Sequence, residues 1–201
     1  LGLLYDPIIN VSEINKKKKQ FVYNNKEYFL AVGRLTYQKN FMFLCKAFKK
    51  IISKNKKIKL FIAGDGEDKE KILHYINDNN LNQNIILLGH VENIFPYFVN
   101  AKAFILSSLW EDPGFVLVEA AFLRTLILSS NSRPGPKELI KNNFNGVVYQ
   151  QGDINDFQLN FEKIQNLQNK KKMKKNGLKN IKKFTIFNHY QQLSNLILND
   201  E

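Results

Sequence analysis

Six short apolar runs, separated by segments of helical periodicity, set the strongest constraint on how this chain folds. Most of these runs are apolar throughout, whereas a strand with one face in water alternates apolar and polar residues. Continuous runs are typical of parallel strands that are covered on both faces. The predicted strands span residues 28–32, 58–63, 85–88, 103–106, 126–129 and 147–149.

Helical patterns lie between these runs, so the chain repeats the order strand, helix, strand. Two parallel strands need a crossover connection, and a right-handed helical crossover packs on a face of the sheet. The sequence therefore predicts an α/β fold over residues 26–180, a Rossmann-like parallel sheet with helices on both faces. The predicted helices span residues 41–53, 67–80, 94–100, 116–123 and 137–141.

The two ends of the chain differ from this domain. Residues 1–25 contain Asp6-Pro7 and a lysine run and are interpreted as a connector. Residues 154–180 are predicted to form one basic amphipathic helix, and residues 187–198 a terminal helix within the C-terminal segment 181–201. Because the chain opens on Leu1 rather than Met, we expect a processed product or a piece of a longer protein.

The net charge of +12 comes from 30 lysines and arginines against 18 acidic residues. Nearly all the cations are lysines, which gather at residues 16–19 and 170–175. A solvated surface, an attraction to an anionic membrane leaflet and an attraction to nucleic acid are all consistent with this charge. A membrane span needs about 18 uninterrupted apolar residues, and the longest candidate, residues 115–128, is broken by Glu119 and Arg124.

The single cysteine, Cys45, lies in an apolar helical pattern with Phe41, Leu44 and Phe48. We interpret it as a core residue of a protein from a reducing compartment, and not as a catalyst.

Ligands of open parallel sheets bind beyond the carboxyl ends of the strands, so the loops there are the candidate sites. After the first strand, Gly33 permits close backbone approach, Arg34 offers a planar fork of donors and Lys39 adds a charge near a helix start. These residues fit a diphosphate, and the alternative is a loop with two solvated cations. The later turns Gly64-Asp65-Gly66 and Gly89-His90 are weaker signals, more typical of tight structural turns.

The loop after the fourth strand contains Glu111 and leads through Pro113-Gly114 into an apolar helix that Glu119 interrupts. A buried carboxylate needs water, a cation or a ligand hydroxyl, so Glu111 and Glu119 are predicted to face one cleft. The alternative for Glu119 is a charge favoured by the helix dipole. The polar loop 129–138 after the fifth strand is predicted to form another edge of the same pocket.

Taken in order, these elements resemble the C-terminal, donor-binding half of glycosyltransferase family 4, retaining enzymes with the two-domain GT-B fold. The resemblance covers roughly residues 28–150. The matching elements are Gly33-Arg34-Leu35 with Gln38-Lys39-Asn40, Ala63-Gly64-Asp65-Gly66, Leu88-Gly89-His90-Val91, the pair Glu111 and Glu119, and Gly135-Pro136-Lys137-Glu138.

The resemblance implies a role for each charged residue of the site. Arg34 and Lys39 would hold the donor diphosphate and neutralise the leaving nucleotide, so no metal and no further cofactor would be required. Glu111 would contact hydroxyls of the transferred sugar, and Glu119 would accept hydrogen bonds from the ribose. The implied donor is a UDP-sugar or a GDP-sugar.

The resemblance also implies binding through the backbone. Amides near Gly114, Phe115 and Val116 would contact phosphate or sugar, the loop at Val91 would receive the nucleobase, and Gly33 completes the donor-binding set. The pair Asp112-Pro113, inserted before Gly114, departs from the common pattern and favours surface-polysaccharide enzymes.

The family's N-terminal half, which holds the acceptor, is not recognised in this sequence, so residues 1–25 would join that half to this one. We therefore expect weak binding of nucleoside diphosphate and little or no turnover by this chain alone. The implied partners are the nucleotide-sugar donor, a saccharide or lipid-linked saccharide acceptor and an anionic membrane surface. The implied location is the cytoplasm, with the inner face of the cytoplasmic membrane as a further hypothesis.

Two other functions compete with this one. A sugar-nucleotide epimerase or a phosphorylase shares the two-domain architecture, but the ordered family-4 elements argue against both. A basic nucleic-acid-binding module would explain the lysines, but they lack interleaved aromatic residues, so we expect no nucleic-acid partner.

Overall fold

The computed structural model describes residues 4–19 and 28–198. Six parallel strands form one sheet in the order β3-β2-β1-β4-β5-β6. The strands are β1 (Tyr28–Val32), β2 (Lys59–Ala63), β3 (Ile85–Gly89), β4 (Phe104–Leu106), β5 (Ile127–Ser130) and β6 (Val147–Tyr149). This is the strand order of a Rossmann sheet. Strands β2 and β3 follow β1 on one side and β4, β5 and β6 lie on the other, so the strand order reverses between β1 and β4.

Helices cover the sheet and continue beyond it. They are α1 (Val11–Lys17), α2 (Phe41–Lys54), α3 (Lys69–Asp78), α4 (Phe95–Asn100), α5 (Phe115–Phe122), α6 (Gly135–Leu139), α7 (Ile154–Gln165), α8 (Lys170–Asn180) and α9 (Ile186–Leu198). No helix within the described ranges has the length and apolar character needed to cross a bilayer.

The core lies on both faces of the sheet, as the apolar strands predict. Along β1, Phe29 and Ala31 pack into the cluster beneath α2 and α7, while Tyr28 and Leu30 pack into the opposite cluster with α5. The α/β fold class is therefore confirmed. Cys45 is fully buried in the first cluster, and burial raises the pKa of its thiol to about 12.

One predicted element is wrong. Residues 154–180 do not form a single helix, because α7 ends at Gln165 and α8 begins at Lys170. Between them, Leu167 packs against the same core cluster as Met173 of α8, so the chain turns to bring both side chains inward. The other predicted helices and strands lie within two residues of the observed ones.

Part of the predicted connector packs on the domain. The side chain of Asn10 caps α1 by accepting a hydrogen bond from the amide of Glu13, and Ile9 and Ile14 are buried. The remainder, residues 1–3 and 20–25, lies outside the described residues. The division into connector, domain and C-terminal helix stays a prediction.

The terminal helix α9 turns its polar side toward the domain. Nδ1 of His189 lies 2.7 Å from the carbonyl oxygen of Tyr5, and Asn188 donates to the carbonyl of Lys182. No residue of α9 is buried, and the side chains of Phe187, Tyr190 and Ile197 are 62–69% exposed.

Close contact between two loops makes Gly64 irreplaceable. Its φ is +139°, and a Cβ there would lie 1.9 Å from the carbonyl oxygen of Gly33. We expect Gly64→Ala to lower the free energy of unfolding by at least about 3 kcal/mol, measured by urea unfolding followed by circular dichroism. The matched control is Gly152→Ala, which has φ +76° and open space, and should cost about 1 kcal/mol. Equal losses in both variants would contradict the steric explanation.

Candidate functional site

The loops that follow β1 and β4 lie side by side where the strand order reverses. The amide of Leu109 donates to the carbonyl of Gln38 at 2.8 Å, and the Gln38 side chain donates to the carbonyl of Trp110 at 2.9 Å. These two bonds tie the loops together. Such a reversal is where open α/β sheets bind their ligands.

A buried ion pair joins these loops. The Nζ atom of Lys39 lies 2.5 Å from Oε1 of Glu111, and the two side chains are 16% and 6% exposed. Ser108 donates to the same carboxylate oxygen at 2.6 Å. Burying two charges is costly unless they are paired and hydrogen-bonded, and this arrangement provides both. The structure thus brings together two residues that the sequence predicts for the site.

Arg34 stands apart from this pair. Its side chain is exposed, and it has no hydrogen bond or ion pair with any residue in the described part of the chain. Beside it, Gly33 leaves room for the stem of Lys39, since a Cβ on Gly33 would lie 3.3 Å from two carbons of that side chain. The guanidinium is therefore available to bind an anion.

Glu119 carries the second predicted carboxylate. It lies in α5, whose start is set by Gly114 in a left-handed conformation with φ +82°. The carboxylate is half-buried and has no hydrogen bond or ion pair within residues 4–19 and 28–198. Burial raises its pKa from 4.5 to about 7. A desolvated carboxylate with free lone pairs is suited to accept hydrogen bonds from hydroxyl groups.

The predicted backbone contacts spread along the same edge of the sheet. Phe115 is exposed and Val116 half-buried at the start of α5. Val91 follows β3, two strands away from β1, which corresponds to roughly 10 Å at the usual strand spacing. His90 is exposed beside it.

The loop after β5 forms backbone hydrogen bonds with Glu111. The amide of Gly135 donates to the carbonyl of Glu111 at 2.9 Å, and the amide of Glu111 donates to the carbonyl of Arg133 at 3.3 Å. A Cβ on Gly135 would lie 2.1 Å from the carbonyl oxygen of Pro113, so only glycine fits. This loop holds the backbone of Glu111 in place, a role that the sequence did not indicate.

Three buried serines around the ion pair were also missed. Ser107 donates to the carbonyl of Lys39, Ser130 donates to the carbonyl of Ser108, and Ser108 donates to Glu111. All three are at most 3% exposed. Their position directly after apolar strands was the available signal, but it does not reveal which groups they bond.

Two exposed aromatic side chains flank the pair. Tyr37 and Trp110 are 72% and 47% exposed, and their ring centroids are 6.2 Å apart. They lie within two residues of Lys39 and Glu111 in the sequence.

A family model described as glycosyl transferases group 1 matches residues 12–183. The chain belongs to this family. An uncharacterized glycosyltransferase of Methanocaldococcus jannaschii is 36% identical over 141 residues, which cover 65% of this chain and 35% of that protein. The UDP-Gal:alpha-D-GlcNAc-diphosphoundecaprenol alpha-1,3-galactosyltransferase of Escherichia coli is 33% identical over 156 residues, 76% of this chain and 40% of that protein. This group 1 chain thus spans well under half the length of these relatives.

Solved structures share the fold of this group 1 chain. Anabaena HepE in complex with UDP and glucose matches with a TM-score of 0.75 and 20% identity over 94% of this chain and 52% of that one. A TarM mutant from S. aureus in complex with Fondaparinux, alpha-GlcNAc-glycerol and UDP matches with a TM-score of 0.77 and 22% identity over 87% and 36%. The chain has the Rossmann-like fold of a GT-B glycosyltransferase domain.

Glu119 should make stability depend on pH. Its folded pKa, near 7, lies above its unfolded value, so the folded state loses stability as pH rises from about 4.5 through 7. We expect Glu119→Gln to raise the free energy of unfolding by about 2 kcal/mol at pH 8 and to leave it unchanged at pH 4, measured by urea unfolding. The exposed Glu162 offers a control, since Glu162→Gln should change little at either pH. An equal gain from Glu119→Gln at both pH values would exclude burial of charge as the cause.

Proposed function

We propose that this chain is the donor-binding part of a retaining family-4 glycosyltransferase that transfers a hexosyl unit to a growing surface glycan. The observation that carries the proposal is the Lys39–Glu111 pair at the reversal of strand order, with the free side chain of Arg34 on the same loop as Lys39 and Glu119 in the following helix. This arrangement offers cations for a diphosphate and carboxylates for hydroxyl groups.

The cations would act on the leaving group. As the bond between sugar and diphosphate breaks, negative charge develops on the diphosphate, and Arg34 and Lys39 would stabilise it without a metal ion. The contact with Glu111 holds the Lys39 ammonium at the reversal of strand order before the donor binds, and two of its N–H groups stay available for the diphosphate. The free guanidinium of Arg34 would contribute a full charge.

The carboxylates and the backbone would orient the donor. Glu119 would accept hydrogen bonds from the ribose hydroxyls and Glu111 from the transferred sugar. Amides at the start of α5, in Gly114, Phe115 and Val116, would contact phosphate or sugar. The loop at Val91 would receive the nucleobase, roughly 10 Å from the end of β1.

The relatives support the classes of donor and acceptor. The E. coli relative is named for UDP-galactose and a diphosphoundecaprenol acceptor, and a Campylobacter jejuni relative, 27% identical over 146 residues, is also named for a diphospho-undecaprenol substrate. We infer a UDP-sugar as the donor, with a GDP-sugar as the alternative, and a saccharide or lipid-linked saccharide as the acceptor. Activity would require the remainder of such an enzyme, because closure over the donor completes the site.

Loss of the free guanidinium should weaken nucleotide binding. We expect Arg34→Ala to raise the Kd of the preferred nucleotide, UDP or GDP, by about tenfold, measured by isothermal titration calorimetry. Glu119→Ala should also raise it, because the ribose loses its acceptor. The exposed Lys71 provides a matched loss of charge, and Lys71→Ala should leave the Kd unchanged. Wild-type affinity in both site variants would disprove the site assignment.

A membrane contact of α8 would bring the site to a lipid-linked acceptor. Five lysines of this helix are exposed while Met173 and Gly177 face the domain, so one side of α8 is a cationic surface. Lysines near an anionic leaflet each contribute on the order of 1 kcal/mol of attraction. The exposed lysines are Lys170, Lys171, Lys172, Lys175 and Lys179.

Vesicle sedimentation tests this membrane proposal. We expect the chain to sediment with vesicles containing phosphatidylglycerol and not with pure phosphatidylcholine, and the bound fraction to fall with salt. Replacing residues 170, 171, 172 and 175 by glutamine should abolish sedimentation. The control replaces Lys46, Lys50, Lys56 and Lys57 by glutamine; these lysines are also exposed, so the control removes the same charge elsewhere. Binding that is lost equally in both variants, or that ignores lipid charge, would refute a role for α8.

A further inference from the structure

The contacts of Glu111 divide its two carboxylate oxygens into different roles. Oε1 accepts from both Lys39, at 2.5 Å, and Ser108, at 2.6 Å. Oε2 has no partner within the described ranges. The Glu111 side chain is 6% exposed, and Oε2 is not a fully buried atom, so solvent and ligands can reach it. Glu111 therefore presents one open acceptor in the loop after β4.

The hydrogen bond from Ser108 fixes which of the two oxygens is engaged and which is open. Lys39 alone could follow the carboxylate as it rotates, because its four-carbon side chain and rotatable ammonium adapt to many positions. A serine hydroxyl has one proton and a short side chain, so its donation to Oε1 defines a direction. Two donors that approach one oxygen from separate loops leave the carboxylate little freedom to turn.

The backbone of Ser108 is itself held in place. Its carbonyl accepts from Ser130 at 2.8 Å, and the residue is 1% exposed. On the other loop, the carbonyl of Lys39 accepts from Ser107 at 2.7 Å. The donor hydroxyl, the ammonium and the carboxylate thus share a supported frame, and preorganisation of this kind is how proteins orient a functional group.

We infer that Ser108 is a positioning residue that directs Oε2 of Glu111 toward a hydrogen-bond donor on the transferred sugar. This inference rests on the proposed function, since it assumes that the sugar lies beside Glu111. An ionised carboxylate oxygen is only an acceptor, so the group it recognises is a hydroxyl or an N–H of the sugar. Ser108 would therefore contribute to recognition of the sugar and not of the nucleotide.

The test compares nucleotide with nucleotide-sugar on the same protein. The quantity measured is the ratio of the Kd of UDP to the Kd of UDP-glucose or UDP-N-acetylglucosamine, or of GDP to GDP-mannose, by calorimetry. We expect Ser108→Ala to reduce this ratio by about tenfold, or to one if the wild-type ratio is below ten. The Kd of the free nucleotide should not change. A purely structural role would weaken both ligands equally and leave the ratio unaltered.

Three further variants keep the test decisive. Thr125, at the opposite end of β5 from the site, is 4% exposed and donates to the carbonyl of Phe98, so Thr125→Val is a matched loss of a buried hydroxyl and should preserve the ratio. Glu111→Gln changes one oxygen into a donor and should lower the ratio as Ser108→Ala does, even if Ser108→Ala does not fold. Ser108→Thr keeps the hydroxyl and should therefore keep the wild-type ratio.

Each outcome separates this inference from the proposed function. If the wild-type protein binds none of the nucleotides, the proposed function fails and the inference with it. If it binds a nucleotide but the sugar adds no affinity, or if Ser108→Ala and Glu111→Gln keep the wild-type ratio, the inference alone is overturned.

Discussion

The buried ion pair between Lys39 and Glu111 is the interaction on which the site depends. The two residues are 72 positions apart in the sequence. Their contact joins the loops after β1 and β4, the neighbouring strands between which the strand order reverses. Burying such a pair is costly unless the two charges are held in close contact with good geometry. Ser108 adds a hydrogen bond to the carboxylate, while the contacts through Gln38 and the bond from Gly135 to the backbone of Glu111 hold the two loops in place.

The fold provides the rigidity that such a pair needs. Both faces of the sheet are packed, so the ends of the strands have fixed positions, and the loops they carry start from fixed points. Close contacts then remove the remaining freedom: Gly64 lies against the carbonyl of Gly33, and Gly135 lies against that of Pro113. The glycines that resemble a ligand-binding motif in the sequence thus also act by letting one loop approach another.

Much of the architecture was predictable because it follows from local patterns. Continuous apolar runs identified the strands, and helical periodicity between them identified the crossovers. The single helix predicted over residues 154–180 was wrong because Leu167 turns inward, a tertiary contact that periodicity does not encode. Arg34, Lys39, Glu111 and Glu119 were recognised from motif order, and their roles stay proposals. That Lys39 contacts Glu111 could not be foreseen, because it depends on which strands are neighbours. Ser108 was missed because a serine after a strand has no distinctive pattern.

The position of Trp110 has a practical consequence. It is the only tryptophan in the chain, it lies next to Glu111 in the sequence, and its ring is half exposed beside Tyr37. Indole emission responds to changes in the polarity around the ring and to stacked groups. When excitation is restricted to wavelengths that the eight tyrosines do not absorb, the intrinsic fluorescence of the unmodified protein therefore originates at the candidate site. An unlabelled sample can report occupancy of that site in real time, which calorimetry does not do.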